Sequence, residues 1–425
     1  MRFVVRPSSL RGAVGIPASK SHTIRAAVFA TLAEGRSVVL NPLDSLDARA
    51  AIGACRAFGA NFDVQPDRWI VQGVGKRLTP PDNVIDVMNS GTTLYITLAT
   101  AALIDGYSVF TGDEQIRRRP ADALLGTLND LGAQAFSTRG NGRCPVVVRG
   151  PMKGGRTTIK ALTSQYVTAV LVNVPLADGT TTLDVVELNE APYIRMTLDW
   201  LDWLGAKYEM RGEMERFIIP GGQSYRPFER RVPGDFSSAT FFLGAGAALD
   251  AELTLQGLDI NDSQGDKAVI DYLRAMGADI QTADSEIRVR RAQLKGADLD
   301  LNATPDALPM MAVVGALAQG TTRLLNVPQA RVKETDRIAV MRQELERMGA
   351  VIEELPDGLV IHGGTLKGAK VHGHGDHRVV MALSVAGMAA TGQTEIDTAE
   401  SVAVTFPSFA NLMRSVGAFI RQASE

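Results

Sequence analysis

Apolar positions in this chain recur at two spacings, and the switch between them repeats six times. A stretch with helical spacing ends in Gly-Ala and runs into a stretch that alternates apolar and polar residues. The pairs are Gly59-Ala60, Gly132-Ala133, Gly205-Ala206, Gly277-Ala278, Gly349-Ala350 and Gly417-Ala418. Subtracting their positions gives steps of 73, 73, 72, 72 and 68 residues. Self-similarity at a fixed period marks a repeat architecture, and glycine at a helix end suits a C-cap with positive φ. Each unit carries a second, upstream helix, opening near Ser21, Ser90, Ser164, Phe236, Asp306 or Asp376 and continuing into an Ala-rich apolar stretch. One unit therefore reads strand, helix, strand, helix, strand, strand. Segments such as Met310–Leu317 are apolar around their whole circumference, which predicts helices buried in a domain interior.

Six such units in 425 residues exceed one core, and three per domain is the symmetric division. The Gly-, Pro- and Arg-rich stretch from Gly221 to Gly234 reads as a linker before the fourth unit. The strand Phe3-Val4-Val5 has no partner in the first unit and is expected to complete the C-terminal domain. The expected domains are thus 14–232, and 1–13 together with 233–425.

Composition narrows the function. A net charge of -3 gives no reason to expect nucleic acid as a partner. Cys55 and Cys144 are too few for a disulfide framework, which favours a reducing compartment. The apolar run after Met1 is too short for a signal peptide, and no segment reaches the ~18 apolar residues of a membrane span. The expectation is a soluble cytoplasmic protein, without a membrane partner.

Polar residues gather at the helix starts, where anions are favoured. They include Lys20, Ser21, Arg25, Asn89, Ser90, Gly91, Thr163, Ser164, Gln165, Asp306, Asp376, His377 and Arg378, with Arg119, Tyr193, Gln329, Lys333, Glu334 and Arg337 from the second helices and the turns before them. Ser90, Ser164 and Asp376 suit N-caps. Capping does not account for Lys20, Arg119, Lys333, Arg337 and Arg378; five cations beside hydroxyl and amide donors suggest a pocket for phosphates and carboxylates. The segment Gln329–Arg337 is read as the opening of a helix, with Lys333 and Glu334 at its N-terminal end and Arg337 one turn in. A solvated helix start laced with charge pairs is the plainer reading of that segment alone. No phosphate-binding loop or dinucleotide fingerprint is present. His372, His374, Asp376 and His377 could be read as a zinc cluster, although a strand and a helix need not point them together.

Several of these segments resemble the motifs of one family: Lys20–Arg25, Asn89–Thr93, Arg119-Pro120, Thr163–Gln165, Pro305–Ala307, Arg331–Arg337 and Asp376–Arg378 are similar to those of the 5-enolpyruvylshikimate-3-phosphate synthases. The resemblance implies a two-domain inside-out α/β barrel of six βαβαββ repeats, with a ligand cleft between domains that closes on binding. It implies no metal and no cofactor, and a monomer acting on phosphoenolpyruvate and shikimate 3-phosphate in aromatic amino-acid biosynthesis. Carried over, Ser21, Arg25, Thr163, Ser164, Gln165, Tyr193, Asp306, Gln329 and Lys333 would hold shikimate 3-phosphate. Lys20, Gly91, Arg119, Gln165, Arg337 and Arg378 would hold phosphoenolpyruvate. Asp306 and Lys333 would act at the acceptor hydroxyl and Glu334 at the methylene, with Lys20 neutralising the leaving phosphate.

Four positions depart from the family pattern. Tyr95 stands where most members have Arg, Met88 where Gly is usual, Glu190 where part of the family has a small or hydroxyl residue, and Val404 where some have a ligand-binding Lys. Fewer cations and an added acid near a phosphate point either to weaker binding of phosphoenolpyruvate analogues such as glyphosate or to a different acceptor. Gly91, beside which that herbicide binds in the family, is retained. Two other readings stand beside this one. The first is a transferase for another phosphorylated alcohol; the UDP-N-acetylglucosamine enzyme itself usually has Cys in the loop filled here by Asp113-Glu114-Gln115-Ile116. The second is a non-catalytic anion-binding protein, against which the retained acids Asp306 and Glu334 argue.

Overall fold

All six glycines of the Gly-Ala pairs lie in the left-handed region, with φ from 80° at Gly205 to 108° at Gly417. Each follows a short amphipathic helix: Leu46–Ala57, Asp122–Asp130, Ala191–Leu204, Val269–Ala275, Arg337–Arg347 and Phe409–Ser415. The structure, a computed structural model, describes residues 1–283 and 285–424. The chain forms two compact units, one of Met1–Ser19 with Pro233–Glu425 and one of Lys20–Val232.

Each unit contains three four-stranded sheets of one pattern. In all six, the first two strands run parallel and the next two pairings are antiparallel. Strands such as Arg156–Lys160 alternate exposed and buried residues, so these sheets keep one face in water. The upstream helices do not alternate. Every residue of Gly91–Ala101 is buried, as are nearly all of Lys20–Leu32, Ser164–Asn173, Phe236–Ala248, Leu308–Leu317 and His377–Ala389. Three buried helices inside and three sheets outside are how each unit covers helices that are apolar around most of their circumference.

The chain enters and leaves the units by exchanging strands. Leu10–Gly15 precedes the helix Lys20–Leu32 in sequence but pairs in parallel with Ala251–Gln256. Glu229–Arg231 precedes the helix Phe236–Ala248 but pairs in parallel with Glu34–Leu40. The first crossing therefore lies after Ser19, not after residue 13 as expected. The expected boundary would have cut the strand Leu10–Gly15, all of which belongs to the fourth repeat. Arg2–Val5 lies between Thr394–Ile396 and Ile420–Ala423, antiparallel to both, and completes the sixth repeat.

A second correction concerns the segment before Arg337. Pro328–Val332 forms a tight 3-10 turn, Lys333 to Thr335 bend, and the α-helix begins at Arg337 with Asp336 as its N-cap. The Asp336 side chain accepts from the Ala339 amide, a local bond that fixes the start one turn later than expected, just before the first apolar-periodic residue, Ile338.

Candidate active site

In the unit Lys20–Val232, the helix starts bring most of the expected residues into small contact groups. Lys20 is the first residue of its helix, and its Nζ lies 3.3 Å from Asp47 Oδ2. Asp47 was not foreseen, since nothing local ties it to a lysine 27 residues earlier. One turn on, Arg25 is buried, and its guanidinium donates to Thr197 Oγ1, Thr168 Oγ1, the Tyr193 carbonyl and the Ser21 carbonyl at 3.0–3.3 Å. Burial brings its pKa down to about 10. A cation set among neutral acceptors in a buried place favours an arriving anion.

Gly91, Arg119 and Gln165 meet. A Cβ at Gly91 would collide with the Arg119 guanidinium and lie 3.4 Å from Gln165 Oε1, so glycine is what lets these side chains approach the helix start. Arg119 is aimed by the next residue: the Pro120 carbonyl accepts from Tyr95 Oη at 2.9 Å and Tyr166 Oη at 2.6 Å. The two rings pack edge to face, with centroids 4.9 Å apart. Tyr95, noted as a lost cation, is thus a buried anchor of the arginine turn, with burial pushing its phenol up to about 12. Asn89 Nδ2 donates to Asp113 Oδ2 and Gln115 Oε1 at 2.6 and 2.7 Å, so the loop before Arg119 braces the neighbouring helix start. Met88 sits at φ 54°, a conformation that explains why glycine suits that position.

At the third helix start the N-cap is Thr163, and Ser164 is the first helical residue rather than the cap. Their hydrogen bonds converge on one atom: Glu190 Oε2 accepts from Thr163 Oγ1 at 2.9 Å, Ser164 N at 3.1 Å and Ser164 Oγ at 2.8 Å.

The other unit carries an acid–arginine cluster. Arg337 is completely buried. Its Nε donates to Asp376 Oδ2 at 2.8 Å, Nη1 to Asp306 Oδ1 at 2.8 Å, and Nη2 to Glu334 Oε2 at 2.6 Å. Asp306 reaches a second guanidinium through its other oxygen, 2.8 Å from Arg378 Nη2. Burial alone would lower the Arg337 pKa, but Asp376, Glu334 and Asp306 outweigh it and hold the group charged. Burial likewise opposes ionisation of Asp376, yet Arg337 keeps its carboxyl below the usual range. His377, beside them, is driven down to about 3, chiefly by burial. Gln329 is wholly buried, with Nε2 donating to the Asn302 carbonyl at 2.8 Å, and shapes the turn before Lys333. Val404 is also buried.

The rings of His372 and His374 pack at 4.3 Å, but the histidines face different partners. His372 pairs with Asp397 at 2.5 Å, His374 with Glu344 at 2.9 Å, and His377 is enclosed at its helix start. Among the described residues no three His, Cys, Asp or Glu side chains are placed to hold one metal ion. No helix among them is long and apolar enough to cross a membrane.

Comparison with known proteins gives one consistent result. The family model for EPSP synthase (3-phosphoshikimate 1-carboxyvinyltransferase) matches residues 4–413. The chain is 54% identical over 420 residues to the 3-phosphoshikimate 1-carboxyvinyltransferase of Acetivibrio thermocellus, covering 99% of each. It is 52% identical over 417 residues to that of Ruminiclostridium cellulolyticum, covering 98% of this chain and 99% of the relative. The solved structure of an EPSP synthase from Acinetobacter baumannii is similar over 100% of both chains, with a TM-score of 0.83 and 28% identity. With its helix starts, arginines and acids arranged as described, the chain belongs to the EPSP synthase family.

Proposed function

We propose that this protein transfers the enolpyruvyl group of phosphoenolpyruvate to the 5-hydroxyl of shikimate 3-phosphate and releases phosphate. The observation that carries this reading is the pairing of Asp306 and Glu334 with Arg337 and Arg378 (Asp306 spanning both guanidiniums), in a family whose named relatives catalyse that transfer. Acids hydrogen-bonded to arginines suit a reaction that moves protons among anionic groups.

In the proposed assignment the unit Lys20–Val232 offers Ser21, Arg25, Thr163, Ser164, Gln165 and Tyr193 to shikimate 3-phosphate, and Lys20, Gly91, Arg119 and Gln165 to phosphoenolpyruvate. The other unit offers Asp306, Gln329 and Lys333 to the acceptor, and Arg337 and Arg378 to phosphoenolpyruvate. The acceptor oxygen bonds to the enol carbon as its proton passes to Asp306 or Lys333. The methylene takes a proton from Glu334 and becomes a methyl group. The tetrahedral intermediate then breaks its bond to the phosphate oxygen, the methyl returns a proton to Glu334, and the double bond re-forms. Lys20 offsets charge on the departing phosphate. The buried Gln329 and Arg337 act on the ligands through the turn and the acids they hold.

The test is phosphate release from phosphoenolpyruvate with three acceptors in parallel. Shikimate 3-phosphate is expected to support release, with a carboxyvinyl ether of matching mass; unphosphorylated shikimate and UDP-N-acetylglucosamine are not. Release with UDP-N-acetylglucosamine, or with none of the three, would overturn the assignment.

A further inference from the structure

The Glu190 carboxylate occupies the donors that the proposed function assigns to the acceptor's phosphate. One oxygen, Oε2, takes the Thr163 hydroxyl, the Ser164 amide and the Ser164 hydroxyl, at the N-terminal end of the helix Ser164–Asn173. These are the kinds of donors, at the kind of helix end, that hold a phosphate oxygen. Glu190 as a whole is 2 % exposed. Its backbone is held in the left-handed region at φ 58° and ψ 38°, a conformation uncommon for a residue with a side chain. The preceding residue fixes the turn: Asn189 Nδ2 donates to the Ala161 carbonyl at 3.1 Å and its amide to the same carbonyl at 3.3 Å. A strained and pinned turn thus delivers an internal anion to an anion site.

From this arrangement, and resting on the reading that Thr163 and Ser164 bind the acceptor's phosphate, we propose that Glu190 is an internal competitor for that phosphate. A phosphate monoester and a carboxylate cannot share three donors that converge on one oxygen, because two anions would then stand about 3 Å apart at a single set of donors. Acceptor binding therefore requires the carboxylate to swing out, and its affinity is reduced by the free energy of that displacement. Free phosphate at the same donors meets the same displacement, so Glu190 lowers both affinities by a common factor and leaves unphosphorylated shikimate largely unaffected. Glu190 thus sets how strongly the site takes a phosphate-bearing ligand, separate from the groups that move protons.

The experiment measures calorimetric binding of shikimate 3-phosphate and of inorganic phosphate to the full chain and to Glu190→Ser, Glu190→Gln and Ser164→Ala. Glu190→Gln keeps the size of the side chain and guards against a folding defect in the serine variant. Both Glu190 variants are expected to bind shikimate 3-phosphate at least tenfold more tightly, and free phosphate more tightly by a similar factor. Shikimate without the phosphate should shift less than twofold. Unchanged or weaker binding of shikimate 3-phosphate in both variants would overturn the competitor role. Ser164→Ala tests the underlying reading separately: weakened binding of the phosphorylated acceptor supports placing its phosphate there, and unchanged binding overturns that placement whatever the Glu190 variants do.

Discussion

Glu334 Oε2 lies 2.6 Å from Arg337 Nη2, three residues further along the chain. The contact closes a ring of three carboxylates around one buried guanidinium, with Asp306 shared between Arg337 and Arg378. Arg337 opens a helix, where a cation is disfavoured by the dipole. The acids supply the compensation, so the arginine organises the very groups to which the proton transfers are assigned.

Replacing Arg337 by Met should therefore cost more than one ion pair. Asp306, Glu334 and Asp376 would be left crowded together, and breaking a buried pair costs about 3–5 kcal/mol. Protonation relieves repulsion among the three acids, so the loss measured by urea unfolding should be smaller at pH 5 than at pH 8. An equal loss at both pH values would show that the carboxylates do not depend on Arg337.

Tyr95 and Tyr166 donate to one carbonyl, that of Pro120. Each hydroxyl removed as Phe should cost about 1 kcal/mol. Because either alone still holds the carbonyl, the double variant should lose more than the sum, by about 0.5 kcal/mol or more. The KM for phosphoenolpyruvate should rise in the double variant as the Arg119 turn loosens. Strict additivity with unchanged KM would separate the tyrosines from Arg119.

His377 sets a pH dependence of stability. Its folded pKa is about 3, below the ordinary value of 6.5, chiefly through burial, with Glu334 and Asp376 opposing and Arg378 and Arg337 reinforcing the shift. Between those values the unfolded chain binds a proton that the folded chain does not. Stability therefore falls as pH drops from 6.5 towards 3, by roughly 1.4 kcal/mol per pH unit once the unfolded histidine is fully charged. Asp376, whose carboxyl is depressed, contributes its own loss only below its ordinary value of 3.8. Urea unfolding between pH 4.5 and 6.5 should show a slope that His377→Asn reduces by nearly one proton. Identical slopes would mean that His377 is charged in the folded protein.

Much of the scaffold was legible because it is written locally. Helix-end glycines such as Gly205 and Gly417, and all-apolar segments such as Met310–Leu317, carry their reason within a few residues. The strand exchange was half visible: Arg2–Val5 lacked a partner in its own repeat, but Leu10–Gly15 pairs with a strand more than 240 residues away. Nothing in Leu10–Gly15 itself names that partner. The site residues could be singled out by residue type, whereas their partners could not. Asp47 beside Lys20, Tyr166 beside Tyr95 and Glu190 beside Ser164 are products of tertiary packing. Tyr95 shows the limit most plainly, since a missing cation was legible and the anchor that replaces it was not.

The claim that acid–arginine pairing drives an addition–elimination reaction is tested most directly in D2O. Protonating the methylene makes a methyl group whose hydrogens are equivalent by rotation, so returning through elimination leaves deuterium behind. With phosphoenolpyruvate and shikimate 3-phosphate, mass spectrometry should find deuterium in the vinyl group of the product. Glu334→Gln should lower both turnover and deuterium incorporation by at least 100-fold, on the order of a lost general acid–base group, while still binding shikimate 3-phosphate. Product formed without deuterium, or near-normal turnover of Glu334→Gln, would contradict the account.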